Sequence, residues 1–244
     1  MNCCITPENP SERKKTVIVS GENKIFVEAL KKEGITTLLC ERNPSLPPPI
    51  ASHADVNCLY LGENTIAVLA EQASLIYSLK SLEYDVIEVT GAKNEYPADC
   101  ILNCLLMGKT AASHKTALNA QIRELLFSKG FSLIASNQGY SRCSVCPIGD
   151  KAAITADDGL ARTLQEQGID VLIIPKGEIK LSGYEYGFIG GSSFMTDDKE
   201  LAFFGKASEI SYFGLIKEFL KKHEVLSKEI TDEPLTDIGG AIRL

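Results

Sequence analysis

The chain repeats one pattern of secondary structure five times, and this repetition constrains its fold more than any other sequence feature. Each copy has apolar residues at helical spacing, followed by a short run rich in β-forming residues. In three copies a glycine, Gly34, Gly130 or Gly168, stands at the end of the predicted helix as a stop signal. The five copies cover residues 22–41, 70–89, 117–136, 157–175 and 209–230.

Two short apolar runs joined by a turn precede four of these helices. Three of the turns align on Gly62, Gly108 and Gly149, and a looser fourth copy covers Gly191 to Phe204. Such pairs of runs are typical of β-hairpins. The repeated unit is therefore predicted to be strand, strand, helix, strand.

The first unit is short by one strand, since only the segment KTVIVS at 15–20 precedes its helix. The C-terminal segment GGAIRL, residues 239–244, has strand character and no unit of its own. We expect Ala241–Arg243 to pair with Val17–Val19 and to close the five units into a ring. Such closure covers a strand edge that would otherwise promote aggregation.

Residues 15–244 are thus expected to form one α/β domain, and residues 1–14 a disordered or irregular segment. The formal net charge is −7, and the Lys and Arg residues form no basic stripe, so nucleic acid is not an expected partner. Neither a signal peptide nor an apolar run of about 18 residues is present, which favours a cytoplasmic protein with no membrane contact. The eight cysteines are read mostly as reduced thiols. No cofactor or metal is predicted, and the sequence identifies no protein partner.

Polar side chains gather where one unit gives way to the next. In a ring these junctions converge near the axis, where a cleft is the expected ligand site. The candidate catalytic residues at the junctions are His53, Asp55 and Cys143. The candidate ligand-binding residues are Asp99, Asn103, Arg142, Glu185, Gly190, Gly191, Asp237 and Gly240.

A ring of five strand-strand-helix-strand units closed by the chain ends resembles the pentein superfamily. This is the α/β-propeller, with five-fold pseudosymmetry, of amidinotransferases, arginine and agmatine deiminases, dimethylarginine hydrolases and the ribosome anti-association factor. The resemblance covers nearly the whole chain after about Thr16. The chain also looks like an uncharacterised bacterial family with that fold.

The resemblance implies roles for some junction residues. Guanidine-modifying penteins use a His-x-Asp step as general acid/base beside carboxylates that hold the flat cation, and His53 with Asp55 is similar to it, although it occurs earlier in the chain. The family's acidic Gly-Gly strand matches Gly190–Gly191, with Ile189 where an acid would stand. Its late Gly-Gly before the nucleophilic cysteine matches Gly239–Gly240, which no cysteine follows. Glycine pairs suit both an axial cleft and tight packing.

The junction cysteines offer a substitute for the missing nucleophile. Cys143 and Cys146 form a CxxC, and Cys100 and Cys104 form a CxxxC. Arg142, next to Cys143, could lower the pKa of that thiol and so activate it. A redox pair, a zinc site and buried structural cysteines remain alternatives.

Three functions remain open at this level. The first is a small-molecule binder, or a hydrolase or transferase acting on C–N bonds of guanidino or amidino compounds, with a small polar or cationic ligand held by junction carboxylates and by Glu185 between two tyrosines. The second, implied by the resemblance to the anti-association factor, is a non-catalytic ring that docks a macromolecule. The third is a thiol redox or metal protein that uses Cys143 and Cys146.

Overall fold

The structure, a computed structural model, describes residues 16–244. The N-terminal segment 1–14, for which irregular structure is predicted, lies outside the described residues.

The described chain contains the five predicted units. The first consists of β1 (Thr16–Ser20), α1 (Lys24–Lys32) and β2 (Thr36–Cys40). The second consists of a short α2 (Ala54–Asn57), β3 (Cys58–Gly62), β4 (Thr65–Leu69), α3 (Ala73–Ser81) and β5 (Asp85–Val89). The third consists of β6 (Leu105–Met107), β7 (Thr110–His114), α4 (Ala120–Ser128) and β8 (Ser132–Ser136). The fourth consists of a short α5 (Ser141–Ser144), β9 (Val145–Ile148), β10 (Ala152–Thr155), α6 (Asp158–Glu166) and β11 (Asp170–Ile173). The fifth consists of β12 (Ser193–Asp197), β13 (Glu200–Phe203), α7 (Phe213–Lys222) and β14 (Leu226–Glu229), and it is followed by β15 (Ala241–Arg243).

Each unit has a three-stranded sheet, and in the first unit β15 provides the third strand. The middle strand pairs antiparallel with one neighbour and parallel with the strand that follows the helix. In the first sheet the antiparallel neighbour of β1 is β15, with Val17 opposite Arg243, Ile18 opposite Ile242 and Val19 opposite Ala241. The predicted pairing of the C-terminal strand with the first strand is therefore confirmed.

The middle strands are buried on both faces. All five residues of β1 and of β4 are buried, as are all four of β10. A strand covered on both sides has no solvent face to fill with polar residues, which explains why TVIVS and TIAVL are nearly continuous apolar runs.

Five apolar cores lie between successive sheets. Alternate residues of a middle strand face different cores: Val17 and Val19 pack with Phe194 of the fifth unit, whereas Ile18 packs with Leu75 of the second. Each core contains the helix of one unit and the sheet of the unit before it. In the core that contains Phe26 and Phe194, α1 of the first unit packs against the sheet of the fifth unit.

The helices end as the stop signals predict. Gly34, Gly130 and Gly168 have φ of 74°, 77° and 78°, in the left-handed region that glycine adopts without steric cost. In the two units without this glycine, Glu83 and Glu224 occupy the same position with φ of 62° and 57°. The unit helices have nine or ten residues, and none within 16–244 has the length and apolar composition to span a bilayer.

Candidate functional site

Several junctions meet at one cavity of about 240 Å³, which we call the site pocket. Its polar lining is His53, Cys143, Glu185 and Asp237, all of them candidates from the sequence. Its apolar and aromatic lining is Ile50, Tyr140, Leu181, Tyr184, Tyr186 and Phe188. The pocket therefore combines acidic groups, one histidine and one thiol with largely aromatic walls.

The side chains of His53 and Asp237 lie close to each other in the lining of the pocket. His53 lies directly before α2, and its carbonyl accepts a hydrogen bond from the Asn57 side-chain amide at 2.8 Å. Asp237 accepts hydrogen bonds from the backbone N–H groups of Gly239 at 3.0 Å and Phe188 at 2.8 Å. The His53 Nδ1 lies 3.8 Å from Asp237 Oδ1, so a protonated imidazole forms an ion pair with this carboxylate.

The two glycine pairs pack tightly beside these residues. A Cβ at Gly191 would lie 2.0 Å from Asp237 Oδ1, and a Cβ at Gly239 would lie 2.3 Å from the His53 Cβ. The Gly240 N–H donates to the Gly191 carbonyl at 2.7 Å. None of these glycines contributes to the lining of the pocket among the described residues. Because glycine has no side chain, Gly239 can pack directly against His53, and Gly191 against Asp237.

Behind the lining, Asp55 and Asn103 form a buried polar layer. Asp55 is 2% exposed, no basic side chain pairs with its carboxylate within residues 16–244, and the Cys143 thiol is close enough for this carboxylate to raise its pKa. The Asn103 Nδ2 donates to the Asp55 carbonyl at 2.8 Å and to Cys143 Sγ at 2.9 Å, and its Oδ1 accepts from the Arg142 N–H at 2.7 Å. Asn103 thus fixes Cys143 and α2 in relation to each other.

The Cys143 thiol is held in its protonated form. Burial raises its pKa well above the ordinary value, and the negative charges of Asp55 and Asp237 raise it further, against the opposing effect of the Asn103 hydrogen bond. The Arg142 guanidinium donates to the carbonyls of Val145 at 3.3 Å and Gly190 at 3.4 Å. The predicted lowering of the Cys143 pKa by Arg142 is therefore wrong.

The two junction cysteine motifs do not form a common site. Cys143 and Cys146 belong to different apolar cores. Burial raises the pKa of Cys146 to about 11 and that of Cys104 to about 12, which opposes thiolate chemistry at both. Across residues 16–244, no three His, Cys, Asp or Glu side chains are grouped as metal ligands.

Asp99 lies behind the pocket and supports its wall. It is 1% exposed, and it accepts hydrogen bonds from the Tyr140 hydroxyl at 2.5 Å and the Cys100 thiol at 3.1 Å. Tyr140 in turn lies with its ring centroid 6.4 Å from that of Phe188. Tyr140 and Phe188 are not candidates in the sequence reading, although both stand in or beside junction segments that supply candidates.

The charge of Asp237 depends on its surroundings. Burial raises its pKa to about 6, the His53 charge opposes this rise, and the Asp55 charge adds to it. A ligand cation in the pocket would favour the ionised carboxylate, since opposite charges at short range stabilise each other in a buried site. Tyrosine faces nearby would add cation–π attraction.

Several solved structures have a similar fold. SxtG, an amidinotransferase from Microseira wollei in the saxitoxin biosynthetic pathway, has a TM-score of 0.55 at 11% identity, over 96% of this chain and 81% of that chain. DDAH from Pseudomonas aeruginosa, complexed with citrulline, has a TM-score of 0.55 at 11% identity, over 93% of this chain and 95% of that chain. Inosamine-phosphate amidinotransferase from Streptomyces griseus has a TM-score of 0.54 at 12% identity, over 89% of this chain and 78% of that chain.

At this level of identity the similarity establishes the fold, and these structures are members of the pentein superfamily. A comparison with curated protein sequences finds no match. The model of DUF6873, a family of unknown function, matches residues 18–242. The chain therefore belongs to the DUF6873 family, and its fold is that of the pentein superfamily.

Proposed function

We propose that this protein binds a small cationic ligand, bearing a guanidino, amidino or amide group, in the site pocket at the axis of a closed ring of five units. The neighbouring structures named above include two amidinotransferases and DDAH with bound citrulline, which supports a ligand of this kind. The pocket carries the more specific support.

The ring is supported by the five apolar cores. Every core joins the helix of one unit to the sheet of the preceding unit, and the core that contains Phe26 and Leu30 joins the first unit to the last. The pairing of β15 with β1 completes the first sheet in the same way that a hairpin completes the others. With this arrangement all five junctions lie around one axis.

The observation that carries the ligand class is the acidity of the pocket, which no Lys or Arg of the described lining offsets. Asp237 lines it, Asp55 lies buried behind it with no basic side chain paired to it within residues 16–244, and Glu185 lies at its exposed edge. A buried carboxylate without a basic partner is unfavourable, so a cation that enters the pocket relieves a cost already present in the free protein. The tyrosines of the wall suit a flat cation.

The experiment is ligand-induced thermal stabilisation with a panel of guanidines, amidines, ureas and alkylamines, followed by calorimetric measurement of Kd. We expect at least one cationic compound to raise Tm, because binding to the native state alone stabilises it by mass action. Asp237→Asn should weaken the binding of that compound at least about tenfold, since it removes one member of a buried charge pair.

Asp232→Asn provides the matched control. The Asp232 side chain is 98% exposed and pairs only at the surface with Lys206, so this variant should bind as the unmodified protein does. If no compound in the panel changes Tm, or if Asp237→Asn and Asp232→Asn bind equally well, the proposal is wrong.

Hydrolysis of a C–N bond is a second candidate function, and the presence of both Cys143 and His53 in the pocket lining favours it. The cation of a bound guanidinium would offset the charges of Asp55 and Asp237 and thereby lower the pKa of Cys143. His53 would accept the thiol proton, the thiolate would attack the guanidinium carbon, and His53 would return this proton to the amine as it leaves. Water would then release the carbonyl product and restore the thiol.

The two candidates are separable with Cys143→Ser. A binder retains its affinity with this variant and shows no amine release with any compound that it binds. A hydrolase releases amine from at least one guanidine or amidine, and Cys143→Ser abolishes the release while binding persists.

A further inference from the structure

The charged side chains that line the site pocket are all acidic. Within residues 16–244 the lining contains Glu185 and Asp237 but no Lys or Arg. The guanidinium of Arg142, although that residue precedes Cys143, is held by the carbonyls of Val145 and Gly190. His53, 3.8 Å from Asp237, therefore supplies the single titratable cationic group in the described lining.

Three backbone donors of the wall, at Tyr184, Gly187 and Phe188, are also engaged. The Phe188 N–H donates to Asp237 Oδ2 at 2.8 Å, the Gly187 N–H to the Ile179 carbonyl at 2.7 Å, and the Tyr184 N–H to the Leu181 carbonyl at 3.1 Å. These groups are not free to hold an anion. A ligand carboxylate in this pocket would lose its hydration and would meet the charges of Asp237 and Glu185, with no Lys or Arg in the described lining to offset them.

Because the described lining has acidic groups but no Lys or Arg, we propose that the site selects cations that lack a carboxylate, such as alkylguanidines and arylalkylamines, over the α-amino acids that differ from them only by a carboxylate. The inference rests on the proposed function and adds a substrate class to it. Four aromatic rings of the wall, those of Tyr140, Tyr184, Tyr186 and Phe188, suit an apolar body between the cation and the pocket mouth.

Glu185 is the residue that opposes a carboxylate at the mouth. Its side chain is exposed, lies between Tyr184 and Tyr186, and forms no ion pair with any residue of 16–244. Because this carboxylate is not needed by another group of the described chain, reversal of its charge changes recognition without a foreseeable effect on folding.

The test uses pairs of compounds that differ only by a carboxylate: agmatine with arginine, tyramine with tyrosine, and cadaverine with lysine. Calorimetric Kd values are measured at the same pH and ionic strength. We expect the decarboxylated member of each binding pair to bind at least about tenfold more tightly, because the amino acid leaves a charged group unpaired.

Glu185→Arg supplies the missing carboxylate partner and should bring the two affinities of a pair to within about threefold of each other, since an Arg–carboxylate pair is a strong charge-assisted contact. Glu218→Arg, which makes the same charge change at an exposed position of α7, is the control and should leave the ratio unchanged.

The outcomes distinguish this inference from the proposal on which it depends. Equal or tighter binding of the amino acids overturns the inference and leaves the proposed function standing. Failure of every compound to bind overturns both. An unchanged ratio in Glu185→Arg assigns the selectivity elsewhere and overturns the role of Glu185.

Discussion

At the scale of single residues, the site is organised around two buried acids, Asp55 and Asp237, with His53 as the basic group near them among the described residues. Asp55 and Asp237 both raise the pKa of Cys143, and Asp55 raises that of Asp237. Functional sites often retain such arrangements, because a partner present only in the complex can convert their cost into affinity and specificity. The pocket thus provides an electrostatic reason for ligand binding before any ligand is identified.

The first prediction concerns the pH dependence of stability. The pKa of Asp237 rises from an ordinary 3.8 to about 6, so the folded protein binds a proton that the unfolded chain releases between these values. Stability from this group is complete below about pH 4 and is lost as pH rises through about 6. The free energy of unfolding of Asp237→Asn, relative to that of the unmodified protein, should therefore increase by about 1 to 3 kcal/mol between these pH values. Urea denaturation curves measured at several pH values give this difference. A difference that is constant with pH would contradict this.

The second prediction compares buried Tyr212 with half-buried Tyr140. The Tyr212 hydroxyl has no hydrogen-bond partner within residues 16–244, whereas the Tyr140 hydroxyl donates to buried Asp99. Tyr212→Phe should leave the free energy of unfolding unchanged or raise it by up to about 1 kcal/mol, because it removes a desolvated hydroxyl. Tyr140→Phe should lower it by about 1 to 3 kcal/mol, because it leaves a carboxylate oxygen unpaired. Chemical denaturation measures both, and equal effects would refute the contrast.

The residues of the pocket are only partly accessible to sequence reasoning. His53, Cys143, Glu185 and Asp237 are candidates because polar side chains at unit junctions are unusual, and the structure places them in one lining. The sequence does not distinguish them from Asp99, which lies behind the wall. The reason is that Asp99 and most of these lining residues lie in loops, and Cys143 lies in a helix of four residues, so no period reveals which side chain faces the pocket.

At the scale of elements, the fold follows from signals that recur. The glycine stops and the hairpin glycines occur at equivalent places in several units, so each copy supports the interpretation of the others. The exceptions are Glu83 and Glu224, where the left-handed backbone persists although the glycine does not. The pattern of the other units, and not the local residue, predicts the ends of α3 and α7.

The third prediction uses this difference. Glu224 is exposed with φ of 57°, and Gly168 occupies the equivalent position after α6, where a Cβ would have no neighbouring atom within 4 Å. Glu224→Gly should raise the free energy of unfolding by about 0.5 to 1 kcal/mol, since a side chain in this backbone region costs about 1 to 2 kcal/mol. Gly168→Ala should lower it by about 1 kcal/mol for the same reason. Thermal and urea unfolding report the signs, and like signs for the two variants would contradict the explanation.

At the scale of the whole molecule, stability depends on contacts between units. Every helix packs on a neighbouring sheet, so no unit buries its apolar face by itself. The C-terminal strand serves the first unit in particular, because it covers the antiparallel edge of β1. Its sequence signal is weak, and only the count of strands per unit predicts its partner.

The fourth prediction follows from this dependence. Deletion of residues 241–244 exposes the edge of β1 and part of the apolar core around Val19, and should lower the free energy of unfolding by at least about 3 kcal/mol and promote self-association. Arg243→Gln removes only a surface ion pair with Asp198 and should change the free energy of unfolding by less than about 1 kcal/mol. Urea denaturation and light scattering distinguish the two, and a truncated chain as stable as the full one would refute the importance of the strand.

The Leu244 N–H donates to the Thr16 carbonyl at 3.0 Å, so the two ends of the described chain are adjacent. A short covalent link across them, with a new opening in a hairpin turn of another unit, would preserve the neighbours of every helix. We therefore expect circularly permuted versions of residues 16–244, with Leu244 joined to Thr16, to adopt the same fold.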